Sequence, residues 1–304
     1  MTNVALILVL ISTLTHAAWN LIGKREHPSV GFFLAANFVG TLCFVPALIL
    51  YGGMIATFPR EVWFFIALTG FFEAVYYAGL AGAYRHGDMS VAYPLARSSA
   101  VIFVTLITTA FGLGKEISAQ GLIGIALVVM GCFAVPLKHF SDLRLHHWIR
   151  LSCLLALVAA LGTTGYTLCD RKMLEILQDP TDTKLRVVQR TLLYAFLWGS
   201  SANIWLALFT FSRKRGRAAF REVLNGSLRR AVPAGVCIYL GYSLVLIALN
   251  PVFVTNASYI VAFRQLSIPL GAVLGMIILK EPRYIPRFVG VAIMLFGLVL
   301  LKMG

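Results

Sequence analysis

Charge is scarce in this sequence: 12% of its 304 residues are Asp, Glu, Lys or Arg, about half the fraction usual in a soluble domain of this length. No polar stretch is long enough to make a separate soluble domain, so the chain reads as one membrane-embedded unit. Paired cysteines are also missing. Cys43, Cys132, Cys153, Cys169 and Cys237 all fall in apolar stretches and none makes a CxxC, which argues against a disulfide framework or a thiolate metal site. The enzyme signatures HExxH, GxSxG, GxxxxGK[ST] and a complete GxGxxG do not occur. His139, His146 and His147 share a loop, but no acidic or Cys partner stands at ligand spacing, so they read as interfacial. No metal, cofactor or catalytic residue is expected. The opening run MTNVALILVLISTLTHAAWN lacks the Lys or Arg of a signal-peptide n-region, and Trp19 follows its only small pair. It reads as a retained first helix.

Apolar residues make up 59% of the chain, and the mean hydropathy is +0.84. Runs of about 20 apolar residues recur from end to end, the mark of membrane-spanning helices. Ten such spans are expected, at 3–22, 30–52, 62–84, 90–112, 118–137, 150–170, 187–210, 231–249, 253–279 and 287–303. The longest connection, 211–230, is strongly basic. GAVLG (Gly271–Gly275) is a GxxxG that lets helices approach closely. The N-x-S/T matches at Asn225 and Asn256 fall in the basic connection and in a span, and carry no weight.

The net charge of +14 sits in short connections rather than on one amphipathic face. It therefore reads as a topology signal and not as a nucleic-acid footprint. Odd-numbered connections hold 16 Lys and Arg; the even ones and the C-terminal end hold 7. The positive-inside rule then puts the odd connections in the cytoplasm and both termini outside.

The chain also repeats itself. GLGKEISAQGLIGIALVVMG ends one half and MIILKEPRYIPRFVGVAIMLFG ends the other. Lys115-Glu116 answers Lys280-Glu281, and Gly124 and Gly131 answer Gly290 and Gly297. Arg97 lies 18 residues before Lys115, and Arg264 lies 16 before Lys280. HAAWNLIGK (His16–Lys24) matches TTGYTLCDR (Thr163–Arg171) loosely, so Trp19 answers Tyr166 and Lys24 answers Arg171. Two halves of five spans each, 1–137 and 150–304, joined by 138–149, enter the membrane from opposite sides. That is an inverted repeat, a common plan for secondary transporters.

The ordered set HAAWNLIGK, AYRHGDMSVAYPLARSSAVIF, GKE and a Gly-rich span, repeated over nearly the whole chain, resembles the drug/metabolite transporter superfamily, EamA type. The resemblance implies a ten-helix secondary transporter of small metabolites, often an exporter, with cytosolic termini. It does not fix the substrate, because members carry amino acids, sugars, nucleotide sugars, phosphate esters and drugs.

Charges inside the spans are the candidate site. Arg97 and Arg264 lie deep in spans four and nine, where each costs about 2.5–3.5 kcal/mol to insert. Their spans carry Pro94 and Pro269, which free backbone carbonyls and are expected to break both helices beside a cavity. Two guanidiniums facing one cavity call for an anion, and a carboxylate, phosphate or phosphonate would bind both bidentately. Glu73, the only acidic residue these boundaries place deep in a span, has two readings. It pairs with one arginine, or it carries a proton that couples transport to the proton gradient. Tyr93 is one turn from Arg97, and Tyr76 and Tyr77 follow Glu73 by one turn. Trp19, Asn20 and His16 add polar tips from span one. Each aromatic also has an ordinary packing role. Lys24 and Arg171 read as snorkelling anchors at span ends.

The expectation is an all-α membrane protein of ten transmembrane helices in two inverted five-helix repeats. Its partners are the lipid bilayer and a small-molecule substrate, and it works as a monomer or homodimer in a cytoplasmic (inner) membrane. The expected activity is alternating-access transport of a small organic anion or zwitterion. The alternatives are an amino acid or drug exporter with structural arginines, an intramembrane enzyme, or a non-transporting sensor or assembly subunit.

Overall fold

The computed structural model describes residues 2–24, 29–86, 89–113, 117–135, 137–142, 150–179, 183–254, 256–278 and 284–303. Among these residues all regular structure is helical. In chain order the α-helices are α1 Asn3–Lys24, α2 Val30–Leu42, α3 Val45–Tyr51, α4 Arg60–His86, α5 Met89–Ala110, α6 Ala119–Ala134, α7 Leu151–Ile176, α8 Lys184–Phe211, α9 Lys214–Glu222, α10 Leu228–Leu249, α11 Ala257–Phe263, α12 Ser267–Ile278 and α13 Ile285–Met303. Among the described residues, seven helical stretches are long and apolar enough to cross a membrane: Val30–Thr57, Arg60–His86, Ala92–Ala110, Leu151–Ile176, Lys184–Phe211, Leu228–Leu249 and Ile285–Met303. The chain is thus an all-α, multi-pass membrane protein. Phe64, Leu106, Ile204 and Phe296 are among the large apolar side chains left exposed on its outer face, as a lipid-facing surface requires.

Local sequence sets the helix ends. Ser29, Ser118, Thr183 and Asn256 are N-caps whose side chains accept the backbone N–H of Phe32, Gly121, Arg186 and Ser258. Each such cap contributes about 1 kcal/mol. Helix α5 ends in a Schellman turn: Gly112 sits at φ +61, and the Leu113 N–H reaches back to the Thr108 carbonyl.

Two segments depart from what hydropathy suggests. The basic connection 211–230 is helical. Helix α9 passes through a π turn, Val223–Ser227, into α10. It folds back because the Phe220 ring packs on Phe211, centroids 5.3 Å apart, and because Gly31 in α2 leaves room for the Phe220 backbone. The second departure is in span nine. Helices α11 and α12 are separated by a 3-10 turn, Arg264–Leu266. Pro269 explains its position. It has no N–H for the carbonyl four residues earlier, that of Gln265, and its ring crowds that carbonyl. The helix therefore tightens one turn before the proline. Helix α5, by contrast, runs unbroken through Pro94, with Ser98 Oγ donating to the Pro94 carbonyl at 2.7 Å.

Contacts between helices are long-range in sequence. Helix α1 packs on α10 and α12, α2 on α8 and α10, α4 on α7 and α8, α5 on α7 and α11, and α6 on α13. Glycine allows backbone-to-backbone approach between α6 and α13. A Cβ on Gly124 would stand 2.6 Å from the Gly297 carbonyl oxygen, and one on Gly131 would stand 2.6 Å from that of Gly290. The reverse contacts, Gly297 to the Gly124 oxygen and Gly290 to the Gly131 oxygen, stand at 2.7 and 3.0 Å. Without a hydrophobic force between helices in lipid, such backbone contact is a main source of association.

Lys115-Glu116, Lys280-Glu281, His146, His147 and the side chains of Asn20 and Lys24 lie outside the described residues. His139 does have an acidic neighbour, but it is not a ligand pair. Its backbone N–H, with that of Lys138, donates to Asp142 Oδ2. These bonds hold the Asp142 carboxyl below the ordinary carboxylate range. No cluster of three metal-binding side chains forms among the described residues.

Candidate functional site

Ten residues from six helical segments close around one internal cavity: His16 and Trp19 of α1, Glu73, Tyr76 and Tyr77 of α4, Arg97 of α5, Tyr166 of α7, Ile238 and Tyr242 of α10, and Arg264 of the 3-10 turn. The centres of water-sized spheres can occupy about 30 Å³ of the cavity. That suffices for one or two waters. Every charged side chain on this wall is buried, with 6% exposure for Arg97, 4% for Glu73 and 3% for Arg264.

The two arginines are held differently. Arg97 reaches across to the broken segment. Its Nε donates to Gln265 Oε1 at 3.1 Å, and its Nη2 donates to the Arg264 carbonyl at 2.9 Å and to Ser267 Oγ at 3.0 Å. That carbonyl also accepts Ser267 Oγ at 2.9 Å, so Arg97 and Ser267 together brace the break. Tyr93 lies under Arg97, with the guanidinium 5.9 Å from the ring centroid, but Tyr93 does not line the cavity.

Arg264 stacks on the Tyr242 ring at 5.2 Å, and its Nη2 lies 3.2 Å from His16 Nε2. The guanidinium can only donate, so Nε2 must accept. A neutral ring has one acceptor nitrogen, which puts the His16 proton on Nδ1 and leaves the 3.4 Å approach of Trp19 Nε1 as an edge contact. Arg264 Nε is buried and has no partner.

Glu73 does not pair with either arginine: no ion pair joins them among the described residues. Its Oε2 is buried and unpartnered. Of the residues singled out in the sequence, then, Arg97, Arg264, Glu73, Tyr77, Trp19 and His16 meet at the cavity and Tyr93 stands behind it. Asn20 belongs to α1, but its side chain is outside the described residues.

A second intramembrane acid corrects the expectation that Glu73 is the only one. Asp170 is fully buried in α7. Thr69 of α4 and Tyr194 of α8 both donate to its Oδ1 at 2.5 Å, and Tyr242 of α10 donates to Oδ2. Four helices meet on this carboxylate, and its Tyr242 partner carries Arg264 on its ring face. The sequence hid Asp170 because Arg171 and Lys172 follow it and suggest a span end, whereas α7 continues to Ile176. Arg171 is likewise not a snorkelling anchor. Its Nη1 donates to the carbonyls of Leu249, at the end of α10, and of Val254 in the connection that follows, and its Nε donates to Glu175.

A third polar cluster ties α2, α8 and α10 together away from the cavity. Tyr239 donates to Asn37 Oδ1 at 2.8 Å, and Asn203 Nδ2 donates to Thr41 Oγ1 at 2.9 Å.

No family model and no curated protein matches the chain. Solved structures do. One of them, described only as the crystal structure of a protein, aligns over 100% of this chain and 98% of its own, with a TM-score of 0.67 and 13% identity. At that identity the likeness is one of fold.

Proposed function

We propose that this chain is a secondary transporter of the EamA type, carrying a small organic anion or zwitterion across a cytoplasmic membrane by alternating access. The observation that carries the reading is the buried cavity itself. Two guanidiniums, a carboxylate, an imidazole and five aromatic rings converge on it in the middle of an apolar bundle. Intramembrane charges facing a common cavity are characteristic of substrate pathways.

The helix pairings support the inverted repeat. Adding α1, α6 and the broken α11–α12 segment to the seven stretches long enough to span gives ten. Let α1, α2–α3, α4, α5 and α6 correspond in order to α7, α8, α10, α11–α12 and α13. Exchanging partners turns α1 on α10 into α7 on α4, α2 on α10 into α8 on α4, and α5 on α7 into α12 on α1; all are present. The pairs α6–α13, α2–α8 and α5–α11 map onto themselves. The crossed glycine contacts, 124 with 297 and 131 with 290, are what a twofold axis between α6 and α13 produces.

A cavity with room for one or two waters cannot hold a metabolite as it stands. Binding requires helices to part, and parting on alternate sides is transport. Glu73 suits proton coupling, since a proton removes the buried negative charge on a carboxyl whose Oε2 has no partner. The three bonds of Arg97 favour, for that residue, the structural role.

The test is reconstitution in proteoliposomes with labelled amino acids, organic acids and phosphate esters. Saturable entry of an unaltered label is expected. Chemical conversion of the label without entry would mean an enzyme, and neither entry nor conversion would leave a sensor or assembly subunit.

A further inference from the structure

We infer that the ligand is a small zwitterion whose ammonium group is held by Glu73 Oε2 and whose oxyanion is held by Arg264 Nε, with Arg97 positioning Arg264 rather than touching the ligand. This rests on the transport reading and narrows it.

The fold shows that it can satisfy buried charge. Asp170 receives three hydroxyl donors, and Arg97 finds three acceptors. Against that background two charged side chains on the same cavity wall keep an unpartnered buried atom each: Glu73 its Oε2 and Arg264 its Nε. An unmet buried polar group costs about 1–3 kcal/mol, more when charged. The two gaps have opposite sign. A simple anion would fill the one at Arg264 and set a second negative charge near Glu73. A simple cation would do the reverse. A molecule carrying both groups closes both.

The rest of the wall fits the same chemistry. Trp19, Tyr76, Tyr77 and Tyr166 bring four more aromatic rings to this wall, and ring faces attract an ammonium group. Arg97 uses its Nε and Nη2 donors on the 264–267 turn, which fixes the backbone that aims Arg264 and assigns Arg97 the positioning role.

Amino carboxylates and aminophosphonates share this chemistry, and the test separates them. Purified protein is titrated by thermal shift with matched trios. Each trio is an amino acid or aminophosphonate, its deaminated anion and its decarboxylated or dephosphonated amine. In at least one trio only the zwitterion should raise the melting temperature, and the head group of that trio names the source. Glu73→Gln should weaken the zwitterion by about 10- to 100-fold and abolish discrimination against the deaminated anion. Arg264→Gln should abolish discrimination against the amine instead. Glu73→Asp and Arg264→Lys, which keep the charges, should retain partial discrimination and serve where the neutral variants do not fold. Arg97→Lys should weaken all zwitterions without changing which trio member is preferred. If a deaminated anion stabilises the wild type as well as its zwitterion does, this inference is overturned and anion transport stands. If no trio member binds and none enters proteoliposomes, the transport reading falls with it.

Discussion

Arg97 donates three hydrogen bonds to the broken segment, whereas Arg264 and Glu73 each keep a buried atom without a partner. Removing them should therefore have opposite effects on stability. Arg97→Gln loses charged hydrogen bonds worth about 1.5–3 kcal/mol and should lower the melting temperature. Arg264→Gln and Glu73→Gln each remove a poorly satisfied buried charge, and should leave stability unchanged or raise it by about 1 kcal/mol. Thermal unfolding in detergent without ligand checks this. Equal destabilisation by all three would mean that the cavity charges hold one another in place. Arg97, Arg264 and Glu73 were legible in the sequence because a charge inside an apolar run is rare and costly. Their different roles were not, since the Gln265 and Ser267 groups that occupy Arg97 depend on where span nine breaks. Asp170 escaped for a local reason: neighbouring Arg171 and Lys172 mimic a membrane boundary.

At the scale of the element, hydropathy located the apolar spans to within a turn or so at most ends, because burial in lipid imposes length and composition directly. Proline pointed to the break in span nine but not to its place, and it wrongly pointed to one in α5, which runs through Pro94. The 3-10 turn lies upstream of Pro269, where the lost N–H and the crowded carbonyl have their effect. Hydropathy also missed that the basic connection is helical, since α9 is positioned by Phe220 packing on Phe211 and Gly31. The repeated glycines of α6 and α13 were visible as a pattern, but their crossed contacts are a property of the packed pair. Gly131→Leu should separate these helices, since even a Cβ would meet the Gly290 carbonyl oxygen at 2.6 Å. A loss of about 3 kcal/mol or more is expected from such overpacking. Gly53→Ala, where nothing lies within 4 Å, should be near neutral. Matched unfolding curves check both, and similar curves for the two variants would mean that the α6–α13 contact does not bear on stability.

For the whole molecule, the helix pairings give two sets of helices meeting around a cavity too small for a metabolite. On the proposed inverted-repeat reading, such a bundle would have two equivalent ways to open, one toward each side of the membrane, while the α6–α13 contact stays closed. Alternation makes the cavity wall reachable from either side but not from both at once. The most direct measurement uses Ile238→Cys, an uncharged wall position, with the five native cysteines replaced by alanine. A membrane-impermeant maleimide is applied from one side or the other of oriented vesicles. Alternating access predicts labelling from each side in separate experiments, slowed from both by a bound zwitterion. Labelling from one side alone, or from neither under any condition, would contradict it.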